Sequence, residues 1–475
     1  MLRNMRSWLF LFAIACVLYP SKTFAAGVQV DEAAIPIRGV IEGFYGKPWT
    51  QADRLDQLAF YGKHHLNTYI YAPKDDPYHR EKWREAYPLT AMANMEQLIK
   101  AAEQNQVDFV FAISPGIDVH LDGAEKERDI EALLHKFDLL YAMGVRSFAV
   151  FFDDIKNKDG AGQARFLNEV NRRFIRVKPG VKPLFTVPTE YFTADMIEDG
   201  KLKAYTKGFS ENLDRDIIVM YTGPGVVCDG ILPEDIDKVN EIYGRKMAVW
   251  WNYPVNDYLL PKLALGPITG LSAQTGQKMA AFIMNPMQFA ELSKITLATG
   301  ADYAKNPAGY DEEKSWQAAL KEQYGENAVS MEVFADHSQR MEKHWAHAGR
   351  FDAPLVRRHM DDFFAAMKKG QDTTFAAALL TEDFASLQRA VSTLEQKLPL
   401  DVYKECQPQI ELAKKLAVAD EAALAMLSAK ANGQKYLYQH YKDELLKQKA
   451  VLPSQTDVKL SEKTAAAFID EALQE

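Results

Sequence analysis

Between about residue 36 and residue 300 the chain alternates short, mostly apolar runs with stretches whose apolar residues recur every three or four positions. The runs are Ile37–Ile41, Thr68–Ala72, Phe109–Ile113, Phe148–Phe152, Leu184–Val187, Ile217–Tyr221, Met247–Trp251 and Ala280–Met284. They are rich in β-branched and aromatic residues and read as strands. Near-continuous apolarity, without polar alternation, is the pattern of parallel strands covered on both faces. Between them lie amphipathic stretches such as Gln51–His65, Asn94–Gln104, Lys126–Met143, Gln163–Val177 and Pro233–Tyr243. Leu133, Leu134, Phe137, Leu140 and Tyr141 have the spacing of one buried helix face. Strand and helix alternating about eight times predict an α/β fold, a (β/α)8 TIM barrel over residues 34–300. The alternative is an open doubly wound sheet. It lacks a phosphate-binding fingerprint, because Gly43-Phe44-Tyr45-Gly46 does not have that spacing.

After residue 300 the strand-like runs disappear, and Ala, Leu, Lys, Glu and Gln recur at helical spacing in Phe375–Leu380, Phe384–Leu398 and Ile410–Ala429. Residues 301–475 are expected to form an antiparallel, all-α helical domain. It is either a structural cap on the barrel or, given an exposed apolar groove, a surface for a partner.

The 475 residues carry a net charge of −9, with no basic footprint for nucleic acid. Residues 1–25 read as a signal peptide. Arg3 and Arg6 precede the apolar segment Trp8–Tyr19, and Thr23-Phe24-Ala25 fits a cut after Ala25. The mature chain is then expected to be periplasmic or secreted, with no membrane span. Cys228 and Cys406 would remain as free, mostly buried thiols. No Cys/His cluster has zinc spacing, and no metal or cofactor is expected.

In such barrels chemistry collects at the C-terminal ends of the strands. The fourth run ends in Asp153-Asp154. Alone, that pair reads as a loop start or helix cap. At a barrel strand end, two carboxylates can divide acid and orienting roles. Aromatic, amide and acidic residues gather at the other ends: Gly43-Phe44-Tyr45, Lys74-Asp75-Asp76, Ser114 to Asp118, Glu190-Tyr191, Trp250-Trp251-Asn252 with Asp257, and Asn285-Pro286. Flat apolar faces beside hydrogen-bonding groups suit a sugar.

The segment Arg38-Gly39-Val40-Ile41-Glu42-Gly43-Phe44-Tyr45-Gly46-Lys47-Pro48-Trp49-Thr50 resembles the opening signature of glycoside hydrolase family 84. These are the β-N-acetylglucosaminidases that include O-GlcNAcase and bacterial enzymes once called hyaluronidases. Asn67 to Asp76, Phe151 to Ile155, Pro188 to Tyr191, Asn252 to Tyr258 and Asn285 to Met287 are similar to that family's motifs in the same order.

The resemblance implies a retaining, exo-acting hydrolase for terminal β-linked N-acetylglucosamine on glycans or glycoproteins. It also implies substrate-assisted catalysis through an oxazoline, a known departure from the two-carboxylate scheme. Asp153 would hold the acetamido N–H, and Asp154 would serve as acid and then base. Tyr191 would donate to the acetamido oxygen, and Asn252 would support Asp153 or the acetamide. Asp257 and Asn285 would bind hydroxyls, Lys74 would reach a hydroxyl or polarise the site, Trp250 would pack on the acetyl methyl, and Gly43 would offer a close backbone contact. The barrel is expected to begin almost at once, without the extra amino-terminal domain of some relatives. Two positions depart from the family: Tyr221 stands where tryptophan is common, and Trp251 where some members carry aspartate. Alternatives are a hexosaminidase for longer N-acetylated glycans and a non-catalytic carbohydrate-binding barrel.

Overall fold

The computed structural model describes residues 34–454 and 456–475. The expected leader, residues 1–25, lies outside them. Eight parallel strands close a barrel: β1 (Ile37–Glu42), β2 (Thr68–Tyr71), β3 (Asp108–Ile113), β4 (Ser147–Phe151), β5 (Phe185–Val187), β6 (Ile218–Tyr221), β7 (Ala248–Trp251) and β8 (Ala281–Met284). β8 pairs with β1, Ile37 lying opposite Ala281, and completes the ring. The doubly wound alternative is excluded by that closure.

Eight helices surround the barrel: α1 (Gln51–Lys63), α2 (Leu89–Gln104), α3 (Gly123–Ala142), α4 (Gly160–Val170), α5 (Ala204–Asn212), α6 (Pro233–Tyr243), α7 (Ala273–Gln277) and α8 (Ala290–Lys305). Local chemistry sets several ends. Thr50 and Asp53 form a capping box at the start of α1. α6 begins on Pro233 and stops at Gly244, whose φ is 60°.

Strand alternation divides the core in two. Ile41, Ile70, Val110, Phe151, Val187, Met220, Trp250 and Ile283 fill the barrel interior. Their neighbours face the helices, as where Phe148 meets Phe137 of α3 at 4.5 Å between ring centres.

The chain continues through α9 (Glu312–Tyr324), α10 (Ala328–Asp336), α11 (Pro354–Lys368), α12 (Thr374–Lys397), α13 (Leu400–Ala431), α14 (Lys435–Ala450) and α15 (Ala465–Gln474). The stretches Phe375–Leu380 and Phe384–Leu398 are helical as their spacing predicts, and both lie on α12, with Leu398 at its C-cap. Two expectations need correction. Residue 300 falls inside α8, so the border expected there cuts a barrel helix. The region is not purely helical: β9 (Met341–Lys343) and β10 (Ala346–Ala348) form a hairpin. Neither strand has an apolar run, and pairing alone makes them strands.

Candidate active site

A cavity of about 520 Å³ opens at the C-terminal end of the barrel. All nine residues singled out from the sequence line it: Gly43, Lys74, Asp153, Asp154, Tyr191, Trp250, Asn252, Asp257 and Asn285. They follow or end six different strands. Residues 114–118 after β3 do not line it. There Asp118 receives bonds from Trp83 and Arg84 instead.

Asp153 continues the inward series Ala149, Phe151 of β4. Its neighbour would normally point the opposite way. Asp154 has a φ of 57°, in the left-handed region. That backbone costs about 1–2 kcal/mol for a non-glycine residue, and it lets both carboxylates face one cavity.

The two acids have different partners. Lys74 donates to Asp153 Oδ2 in a buried ion pair. Asp153 Oδ1 is buried and meets no donor among the described residues. Asp154 receives two phenols, Tyr45 at 2.7 Å on Oδ2 and Tyr191 at 2.9 Å on Oδ1. Burial, then the Asp154 charge, hold both phenol pKa values well above the usual range, so both remain donors.

Asp257 accepts the Tyr45 backbone amide at 2.8 Å. Burial raises its pKa, with Asp154 adding to the rise and the Tyr45 and Tyr258 amides opposing it. Asn252 Oδ1 accepts from Trp250 Nε1 at 2.8 Å and from Asn285 Nδ2 at 3.0 Å, and its own amide donates to the Val226 carbonyl at 2.9 Å. Asn252 therefore orients Trp250 and Asn285, whereas the partner of Asp153 is Lys74. Asn285 Oδ1, like Asp153 Oδ1, is buried without a donor. These two open acceptors are where a ligand's N–H or O–H groups would bind.

Gly43 has a cause within the protein. A Cβ there would lie 2.6 Å from Trp250 Cζ2, so the ring occupies the space a side chain would need. The two departures do not reach the cavity. Tyr221 and Trp251 point outward into the layer between barrel and helices. The Tyr221 hydroxyl pairs with Thr193 Oγ1 at 2.8 Å. Strand alternation keeps both departures from the family out of the pocket.

Tyr45, Tyr258 and Trp345 also line the cavity, and sequence reasoning gave none of them a role. Tyr45 sits inside a conspicuous motif, two residues after Gly43, and that proximity was a usable signal. Trp345 lies in the β9–β10 turn and packs on Tyr258 at 5.2 Å between ring centres. Nothing local in the sequence marks it. Among the described residues no Cys/His/Asp/Glu cluster could hold a metal, and no helix is long and apolar enough to cross a membrane.

A closed eight-stranded barrel with paired carboxylates, aromatic walls and open acceptors at its C-terminal face defines a carbohydrate-active (β/α)8 protein. The family model described as beta-N-acetylglucosaminidase matches residues 38–336, and one described as hyaluronidase post-catalytic domain-like matches 355–469. The chain belongs to the β-N-acetylglucosaminidases of glycoside hydrolase family 84. The mouse Protein O-GlcNAcase is 32% identical over 275 residues, 56% of this chain, and the rat protein matches equally. The match spans only 30% of the length of those relatives. The solved structure of CpGH84B superposes with a TM-score of 0.89 at 41% identity, over 92% of this chain and 77% of that one. A mutant of the Thermobaculum terrenum O-GlcNAc hydrolase gives 0.79 at 28% identity, over 92% of this chain and 94% of that one.

Proposed function

We propose that this protein is a retaining exo-β-N-acetylglucosaminidase that removes terminal β-linked N-acetylglucosamine by substrate-assisted catalysis. The observation that carries the reading is the unequal pair at the end of β4. Asp153 keeps one buried oxygen open beside Lys74, and Asp154 is held by two phenols. Successive residues lie about 3.8 Å apart at Cα. They are poorly suited to flank a sugar ring from opposite faces, as the two carboxylates of most glycosidases do.

In this mechanism the acetamido oxygen attacks the anomeric carbon as the bond to the leaving oxygen breaks. Asp154 gives its proton to that oxygen. Asp153 accepts the acetamido N–H on its open oxygen and stabilises the positive charge that develops on the oxazoline. Water then attacks the anomeric carbon, passes a proton to Asp154 and reopens the acetamide. Two inversions give retention. Tyr191 moves from Asp154 to the acetamido oxygen, Trp250 packs on the methyl, and Asp257, Asn285 and Lys74 serve the hydroxyls.

The substrates that fit are glycans or glycoproteins ending in N-acetylglucosamine. A leader cleaved after Ala25 puts the mature protein in the periplasm or outside the cell. Amino-terminal sequencing of protein recovered from its source should begin at Ala26, and a first residue of Met1 would refute the export reading.

The deciding experiment is hydrolysis of aryl N-acetyl-β-glucosaminides with zero to three fluorines on the acetyl group. A steep fall in kcat/KM with fluorination supports the acetamide as nucleophile. Indifference to fluorine would assign a protein nucleophile, with Asp257 the remaining pocket carboxylate. Binding without turnover would favour a carbohydrate-binding barrel.

A further inference from the structure

α8 begins five residues after Asn285, yet it lacks a local cap. Phe289 occupies the N-cap position and makes no side-chain cap bond. The first N–H groups of a helix have no partner within it. Here a residue more than a hundred positions away supplies one. Glu405 of α13 accepts from Glu291 N at 3.2 Å and from Leu292 N at 2.8 Å.

The segment between Asn285 and α8 is tied to that first turn and to two other loops. Met287 N donates to Ser293 Oγ at 3.1 Å, inside the first turn of α8. Trp49 Nε1 donates to the Met287 carbonyl at 3.2 Å, and Trp49 closes the loop that carries Tyr45. Val255 N donates to the Asn285 carbonyl at 2.9 Å, and Val255 lies two residues before Asp257. The far side of the pocket, which presents Tyr45, Asp257 and Asn285, is thus anchored on the start of α8. The Asp153–Asp154 side rests on β4 and β5, and the Tyr45 hydroxyl on Asp154 links it to this anchored side.

We infer that Glu405 is a positioning residue: from outside the barrel it caps α8, and so it holds the Asn285–Met287 segment and the hydroxyl-binding side of the pocket in place. Its surroundings make the cap sensitive to pH. Glu405 faces Glu291 of α8, Asp53 of α1, Tyr324 at the end of α9, and Cys406 on its own helix, and beside it Glu291 pairs with Lys294, which also holds Asp56 of α1. Burial first, then the Glu291 and Asp53 charges, push its carboxyl up to about 7 against the pull of the two amides. The charged form accepts both N–H groups strongly, and protonation leaves one strong acceptor.

The kinetic arm rests on the hydrolase reading; the exchange arm does not. In the full chain, Glu405→Ala should accelerate amide hydrogen exchange at Asn285, Met287 and Val255, and Glu405→Gln should do so less. With an aryl N-acetyl-β-glucosaminide, Glu405→Ala should raise KM roughly five- to tenfold, the effect of losing one good cap. kcat should change less than KM, since hydroxyl contacts are shared by ground and transition states and Asp154 feels the change only through Tyr45. Glu405→Gln should recover part of the loss. The wild-type KM should rise as pH falls through about 7, and the Glu405→Gln KM should lack that step. Unchanged exchange at 285–287 in Glu405→Ala overturns the inference, whatever the activity. A lowered melting temperature with KM and its pH profile unaltered overturns it too, leaving a purely structural cap. Wild-type protein without turnover refutes the hydrolase reading instead, and the exchange measurement still decides this one.

Discussion

The Tyr45 hydroxyl donates to Asp154 at 2.7 Å. The same residue gives its backbone amide to Asp257 at 2.8 Å, so one side chain and its peptide join two pocket carboxylates. Tyr45 follows β1 and Asp154 follows β4, and the closed barrel is what brings them together. Tyr45→Phe removes one charge-assisted hydrogen bond from Asp154 and keeps the ring. Such a bond contributes about 1.5–3 kcal/mol when fully formed, and less here because the ring is partly exposed. The variant should lose roughly 3- to 30-fold in kcat with its melting temperature nearly unchanged. A kcat equal to wild type would remove Tyr45 from the machinery.

Asp154→Asn takes away the proton donor. Substrates with poor leaving groups should lose about 10²–10⁴-fold in kcat. Activated aryl glycosides, whose departure needs little acid help, should lose far less in the first step. A leaving-group series measures this, and equal loss across the series contradicts the acid role.

Asp153→Asn replaces the open acceptor and leaves Lys74 as a buried, unpaired cation. Both classes of substrate should lose turnover, because acetamide participation serves both. Lys74→Met should also lower activity, by loosening the Asp153 carboxylate. If Asp153→Asn turned over activated substrates at the wild-type rate, the substrate-assisted mechanism would fall.

Gly43→Ala sets a methyl 2.6 Å from Trp250 Cζ2. Overpacking of this kind costs about 1–3 kcal/mol. The indole must shift, and its bond to Asn252 shifts with it. The expected result is a lower melting temperature together with a lower kcat/KM. Retention of both would show that the strand end yields more easily than the ring contacts indicate.

Asp420, in the middle of α13, is fully buried, and among the described residues neither of its oxygens meets a donor. Burial raises its pKa well above the usual carboxylate value, and the Glu421 charge adds to the rise. The folded state then binds this proton more tightly than the unfolded state. Its contribution to stability is full at acid pH and is lost as pH rises from about 4 toward the folded value. Asp420→Leu should raise the melting temperature, more at pH 8 than at pH 5, with a gain at neutral pH of about 1–3 kcal/mol. An equal gain at both pH values would show that Asp420 does not titrate in that range.

Much of the barrel was legible because each strand is a compact apolar run. All eight predicted strands agree with the observed ones to within one residue at either end. α6 matches its predicted bounds from Pro233 to Tyr243, since proline opens it and glycine closes it. The pocket residues were legible because strand ends are sequence-local, and a run of motifs named most of them. Pairings were not legible. Lys74 meets Asp153 and Asn252 meets Asn285 only because the ring of strands has a particular register. The β9–β10 hairpin and its Trp345 gave no signal, because short strands without an apolar run exist only when paired.

The sequence by itself determined the strand-to-helix rhythm, the barrel it implies and the two carboxylates at the end of β4. These follow from side-chain periodicity and from chemistry carried by neighbouring residues. Tertiary structure alone decided that Asp154 turns beside Asp153 through a left-handed backbone, that Lys74 pairs with Asp153, and that Glu405 caps a helix more than a hundred residues earlier. Each depends on which atoms meet across space, and no local pattern of polar and apolar positions encodes that.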